Sequence, residues 1–216
     1  MSTEHAWHRE VLEHFPGYDY NAPAGDRNIL CDFRNPKNMV GQQQRAFSIF
    51  WALKQCDPMN LGLDLGSPRG LTPYCMHVDL WGDGKPHPIY GGRYCSDIVM
   101  DASELSPVFP DDSLPYITSN HSIEHMGPPG CADSMTVKIL CGWLRKLRPG
   151  GILALVIPDN DCFDVLKSDK DHKNAWGHSD FRRRVLDEVL ASSGAELVEY
   201  DSFQNHFSFN VVLRRP

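Results

Sequence analysis

From position 61 onward the chain alternates short apolar runs with polar segments, and each run closes on polar residues. Leu61, Leu63 and Leu65 surround Asp64 and lead into a glycine-framed turn, Gly66 to Gly70. Tyr74 to Leu80 holds a second run, ending at Asp79. Tyr94 to Met100 holds a third, followed at once by Asp101 and Ala102. Leu114 to Asn120 is a fourth, running into His121-Ser122-Ile123-Glu124-His125. The period then changes. Ile139, Leu140, Trp143, Leu144 and Leu147 recur at helical spacing, which predicts a helix over Met135 to Leu147. Arg148-Pro149-Gly150-Gly151 is expected to stop that helix. Ile152 to Ile157 is an unbroken apolar strand closing on Pro158-Asp159-Asn160. Strands alternating with helices predict an α/β fold with a mostly parallel sheet and a site along the carboxyl ends of the strands.

The two ends of the chain have other textures. Ser179 is placed to cap a helix over Asp180 to Ser192, with Phe181, Val185, Leu186, Val189 and Leu190 on one face and Gly194 as its stop. Glu196 to Phe203 and Phe207 to Leu213 read as strands. The tight connection at 204–206 suits an antiparallel pair. Residues 1–35 hold scattered Pro, Gly and aromatic residues without a period, and predict an irregular arm with a short helix near 6–14. Phe47, Phe50, Trp51 and Leu53 place an amphipathic helix at 38–55, its aromatics read as core packing. The organisation expected is that arm followed by a single domain, 36–216.

Composition narrows the function. A chain of 216 residues suffices for one well-filled core. Its net charge of −7 argues against a nucleic-acid-binding surface, which needs clustered Lys and Arg. The basic run Arg182-Arg183-Arg184 reads as a solvated helix face. The 7 cysteines are scattered, with no Cys-x-x-Cys, which fits buried thiols in a reducing compartment. No apolar stretch approaches a membrane span and no basic, apolar leader opens the chain, so a cytoplasmic protein without membrane contact is expected.

Taken together, Leu63-Asp64-Leu65-Gly66-Ser67-Pro68-Arg69-Gly70, Val78-Asp79, Met100-Asp101-Ala102, Ser119 to His125 and Leu144 to Gly151 resemble, in order, the motifs of class I S-adenosylmethionine-dependent methyltransferases. The likeness is to the broad small-molecule group and spans roughly residues 58–216. It implies a Rossmann-like sheet of seven strands with an antiparallel last strand, helices on both faces, and S-adenosylmethionine as cofactor. It also implies that Asp64, Gly66, Ser67 and Gly70 lie against the methionine part of the donor. Asp79 would hold the ribose hydroxyls, Asp101 and the Ala102 backbone would face the adenine, and Asn120 and His121 would line the other side. His121, at a strand's carboxyl end, is the candidate general base for a hydroxyl acceptor. The acceptor expected is a small molecule or glycan, methylated at oxygen.

Blander readings stand beside these. Asp64 and Asp79 can be strand-end residues satisfied by turn amides, Asp101 can cap a short helix, and Glu124 and His125 can be a helix-start pair supporting the site. The segment Lys167 to Ser179, with His172, Trp176 and His178, is either a lid or a surface connection. No metal ligand is assigned. Asp159-Asn160 faintly resembles the cation-binding pair of metal-dependent O-methyltransferases, but the matching aspartate after the fourth strand is missing. Two departures from the family stand out. Pro68 replaces the usual middle glycine and removes an N–H. Only Leu71, Thr72 and Pro73 separate the glycine turn from the second run, too few for the usual crossover helix. They motivate a second reading, a non-catalytic relative that binds a partner protein. A third, a dinucleotide-binding oxidoreductase, lacks its Gly-x-Gly-x-x-Gly motif.

Overall fold

Parallel strands buried on both faces must be apolar nearly throughout, and that is how the central strands pack. The structure, a computed structural model, describes residues 61–66, 75–80, 96–130, 133–202 and 208–216. The expected arm at 1–35, the helix at 38–55, Ser67, Pro68 and Gly70 and the connection at 204–206 lie outside the described residues.

The strands are β1 (Gly62–Leu65), β2 (Cys75–Asp79), β3 (Ile98–Val99), β4 (Leu114–Asn120), β5 (Leu147–Pro158), β6 (Glu196–Ser202) and β7 (Ser208–Arg214). They form a 7-stranded sheet in the order β3-β2-β1-β4-β5-β7-β6. β1 to β5 pair in parallel, and β7 runs antiparallel to both β5 and β6. β1 and β4 are buried at every position. Gly62 is required inside β1, because a Cβ there would lie 2.2 Å from the Tyr116 ring on β4.

Helix α1 (Asp133–Lys146) buries Val137, Ile139, Leu140, Trp143 and Leu144, the face its period predicts. After the single turn α2 (Val165–Ser168), helix α3 (His178–Phe181) runs through a π-helical turn (Arg182–Leu186) into α4 (Asp187–Ser193). Phe181, Val185, Leu186 and Val189 enter the same core as α1. Gly194, in the left-handed region at φ 69°, ends α4 as its position predicts. The basic run sits in the π turn: Arg182 and Arg183 are exposed, and Arg184 pairs with Asp133 and Asp180.

Some boundaries differ from expectation. α3 begins at His178, not at a Ser179 cap, because acidic side chains distant in sequence hold its first N–H groups. The His178 N–H donates to Asp159 Oδ1 at 2.9 Å and the Ser179 N–H to Asp161 Oδ2 at 2.8 Å. These satisfy donors that a helix start otherwise leaves unpaired. β5 starts at Leu147, five residues before the apolar run. Leu147 pairs with Leu114 and Ile152 with Tyr116, so Arg148-Pro149-Gly150-Gly151 forms a bulge within the strand.

The connection between β1 and β2 is short, consisting of residues 66–74. The two strands are nevertheless parallel neighbours, with Leu65 opposite Val78 and the Gly66 N–H donating to the Val78 carbonyl at 2.8 Å. Short as this connection is, β2 holds the register that sets Asp79 beside Gly66.

Candidate functional site

The sheet order reverses between β1 and β4: β2 and β3 lie to one side, and β5 with the antiparallel pair lies to the other. In open α/β sheets such a switch point leaves a crevice outside the carboxyl ends of the strands. Gly66, Asp79, Asp101, Asn120 and His121 all follow or close strands at this end.

Gly66 has φ 74°, and Ser122 closes on it from the end of β4. The Ser122 hydroxyl lies 3.4 Å from the Gly66 carbonyl and 3.2 Å from that of Asn120. Glycine is therefore needed on two counts, its backbone angle and the side chain packed over it. Asp79 closes β2 half-buried, its carbonyl accepting from the Met100 N–H at 3.0 Å. Asp101 is exposed and its Oδ1 accepts from the Ser103 N–H at 2.9 Å. It caps a turn, and no helix follows at 102–105. The carbonyl of Ala102 accepts from the Trp143 indole N–H at 2.7 Å. Helix α1 thus anchors the loop expected to meet the adenine.

Asp64 is fully buried. Its Oδ1 lies 3.3 Å from the Thr118 hydroxyl, and His77 Nε2 lies 4.0 Å from its Oδ2. His77, opposite Asp64 on β2, binds the Asp97 carboxylate through Nδ1 at 2.9 Å. Asp64 thus sits between β2 and β4 directly beneath Gly66, braced by Thr118 and His77. His77 escaped the sequence reading, and its only signal was a polar residue on the buried side of an apolar strand.

Asn120 is buried at the end of β4. His121 follows in the left-handed region at φ 50°, with its N–H donating to the Val156 carbonyl at 2.9 Å. Non-glycine residues at positive φ cluster at functional sites, where surrounding structure holds them against strain. His121 Nε2 lies 2.6 Å from the hydroxyl of the buried Ser208, which opens β7. Ser208 orients the imidazole, and nothing local in the sequence announces that pairing.

The segment at 167–179 is not a free lid. The Lys173 and Asn174 N–H groups both donate to the Glu124 carbonyl, at 2.9 and 3.0 Å. The Asn174 side-chain amide donates to the Met126 carbonyl at 2.9 Å. Trp176 is buried, with its indole N–H donating to Asp133 at 2.9 Å. The Asp159-Asn160 pair is engaged by backbone donors. Asp159 Oδ1 accepts from the N–H groups of Asp161 and His178, and Asn160 Oδ1 accepts from the Val165 N–H.

Glu124 is the outlier of the region. Burial pushes its carboxyl up to about 8. Burial likewise lowers the neighbouring His125 below the usual histidine range.

The fold is that of the class I S-adenosylmethionine-dependent methyltransferases, with its seven-stranded sheet and reversed β7. Solved structures sharing it include geranyl diphosphate C-methyltransferase from Streptomyces coelicolor, bound to Mg2+, geranyl diphosphate and S-adenosyl-L-homocysteine. It is 10% identical, all of both chains is covered, and the TM-score is 0.60. A SAM-dependent methyltransferase from Archaeoglobus fulgidus is 17% identical with a TM-score of 0.55, over 85% of this chain and 96% of that one. One from Thermotoga maritima is 14% identical with a TM-score of 0.50, over 96% and 99%. No family model and no curated protein matches by sequence. Identities this low establish shared fold alone.

Proposed function

We propose that this chain is an S-adenosylmethionine-dependent methyltransferase acting on a small molecule or sugar, at oxygen. The observation that carries the reading is the convergence at the switch point between β1 and β4. There the left-handed Gly66 turn, the half-buried Asp79 and the constrained His121 meet at one end of the sheet.

The residues present fit such a donor. Gly66 leaves no side chain where the backbone must approach a ligand, Asp79 can accept from two ribose hydroxyls, and the turn at Asp101–Ala102 offers main-chain groups to an adenine. When bound, S-adenosylmethionine supplies a methyl group already electrophilic on its sulfonium. The protein's task is then to align the acceptor and take its proton. His121 is assigned as the base, because imidazoles titrate near neutrality and this one is held by Ser208. A base is needed for a hydroxyl acceptor, which favours oxygen. The net charge of −7 favours a small acceptor over nucleic acid.

S-adenosylhomocysteine is expected to raise the melting temperature by mass action, by about 2.7 kcal/mol of stability at a hundredfold excess over Kd. Asp79→Ala should weaken that binding by about 1.5–3 kcal/mol, as for hydrogen bonds to a charged group, and leave the domain folded. Absence of any shift with millimolar ligand on folded protein would favour the partner-binding reading. A shift with nicotinamide dinucleotides instead would favour the oxidoreductase.

A further inference from the structure

The Glu124 carboxylate is 0% exposed, and neither oxygen has a hydrogen-bond partner among the described residues. Buried carboxylates are ordinarily paired, and an unpaired one costs several kcal/mol. Two imidazoles face it. His125 Nε2 lies 3.7 Å and His172 Nε2 3.8 Å from Glu124 Oε1, both too far for a hydrogen bond. The opposite face of each ring is engaged. His125 Nδ1 sits 3.0 Å from the Asp171 carbonyl, and His172 Nδ1 sits 2.6 Å from the Val165 carbonyl. A carbonyl can only accept, so both Nδ1 atoms carry the proton. In the neutral rings both Nε2 lone pairs then point at the carboxylate.

This arrangement suits a cation. Metal-bound histidines characteristically donate their second ring N–H to a carbonyl or carboxylate, which fixes the tautomer and the ring's direction. One ligand atom from each of Glu124, His125 and His172 lies within 4.8 Å of the others. Around a tetrahedral zinc, ligand bonds of about 2.0–2.2 Å separate the ligand atoms by roughly 3.3–3.5 Å. The two Glu124–histidine distances exceed this by a few tenths of an ångström, and the widest separation in the cluster, within 4.8 Å, closes by about an ångström when the rings turn toward a shared ion. Two histidines and one glutamate are an established zinc set that leaves one position for water. We propose that Glu124, His125 and His172 form a zinc site, with water as the fourth ligand on the side of His125.

An ordinary salt bridge does not account for the cluster. Neither ring reaches the carboxylate oxygens within hydrogen-bond distance, and a divalent cation between them would engage all three groups at once. The His125 side chain is 34% exposed and that of His172 9%, so His125 marks the entry. Asp169 adds negative potential nearby. The ion would staple the 3-10 turn Ile123–His125 to the segment after α2. The Glu124 carbonyl already tethers that segment through Lys173 and Asn174.

The test uses the whole chain stripped with a chelator and titrated with Zn2+ by calorimetry, and with Co2+ followed in the visible spectrum. One equivalent should bind, with tetrahedral Co2+ bands lacking thiolate charge-transfer and a raised melting temperature. His172→Ala should weaken binding at least 100-fold. Glu124→Gln, which keeps the side chain's shape, should weaken it at least 10-fold with an unchanged circular dichroism spectrum. Several results would overturn the site: no stoichiometric binding to the folded wild type, thiolate bands in the Co2+ form, or affinity untouched by either substitution. The wild-type measurements decide even where a variant does not fold. None of them depends on methyl transfer.

Discussion

Replacing His121 is expected to cut turnover by ~10²–10⁴, the usual contribution of a positioned base, while affinity for S-adenosylhomocysteine stays within a fewfold. The side chain follows β4 at the switch point, and its ring is held against Ser208. His121→Asn is the cleaner variant, because asparagine tolerates the φ of 50° this position imposes. In the tautomer that donates from Nε2 to Ser208, Nδ1 is the nitrogen that accepts the substrate proton. Ser208→Ala should then lower turnover less than loss of the imidazole does, and leave donor binding alone. Joint loss of affinity and turnover in His121→Asn would mean that the ring shapes the donor pocket. If neither changes, the histidine is structural and no proton passes through it. Steady-state kinetics on an identified hydroxyl acceptor, with calorimetry for S-adenosylhomocysteine, separates these outcomes.

The second large effect is on stability. Gly66→Ala is expected to destabilise the domain by roughly 2–5 kcal/mol. About 1–2 kcal/mol comes from the left-handed backbone, and about 1–3 kcal/mol from overpacking. The backbone angle is φ 74°, and a Cβ at this position would stand 2.0 Å from Ser122 Oγ and 2.5 Å from Ser122 Cβ. The two costs are separable. Adding Ser122→Gly removes both obstructing atoms, so the double variant should recover the overpacking part and retain the backbone part. Urea denaturation of the single and double variants measures this. A single variant within about 0.5 kcal/mol of wild type, the range of ordinary surface substitutions, would show that the turn relaxes and that glycine is not needed there.

Much of the architecture was legible because its causes are local. Strand β4 spans Leu114–Asn120, as its apolar run predicts, and α1 buries the face its period picks out. A parallel strand covered on both sides must be apolar throughout, and an amphipathic helix must repeat at 3.6, so neither needs knowledge of its partners. The stop at Gly194 was equally local, since it depends only on a residue that accepts positive φ. By itself the sequence determined the alternation of strands and helices, the polar residues at strand ends and the antiparallel closing pair.

What only the tertiary structure decided is which side chains meet across the chain. β5 begins at Leu147 because Leu114 lies opposite to pair with it, and α3 begins at His178 because Asp159 and Asp161 satisfy its first N–H groups. Asp64 is buried between His77 and Thr118 because those residues lie opposite it on the two adjacent strands. Glu124 and His125 read as a supporting pair until the segment after α2 brought His172 against them. Each of these pairings depends on register and loop path, set by the packing of the whole sheet. A short window of sequence carries the periodicity of one element and no record of what will lie across from it.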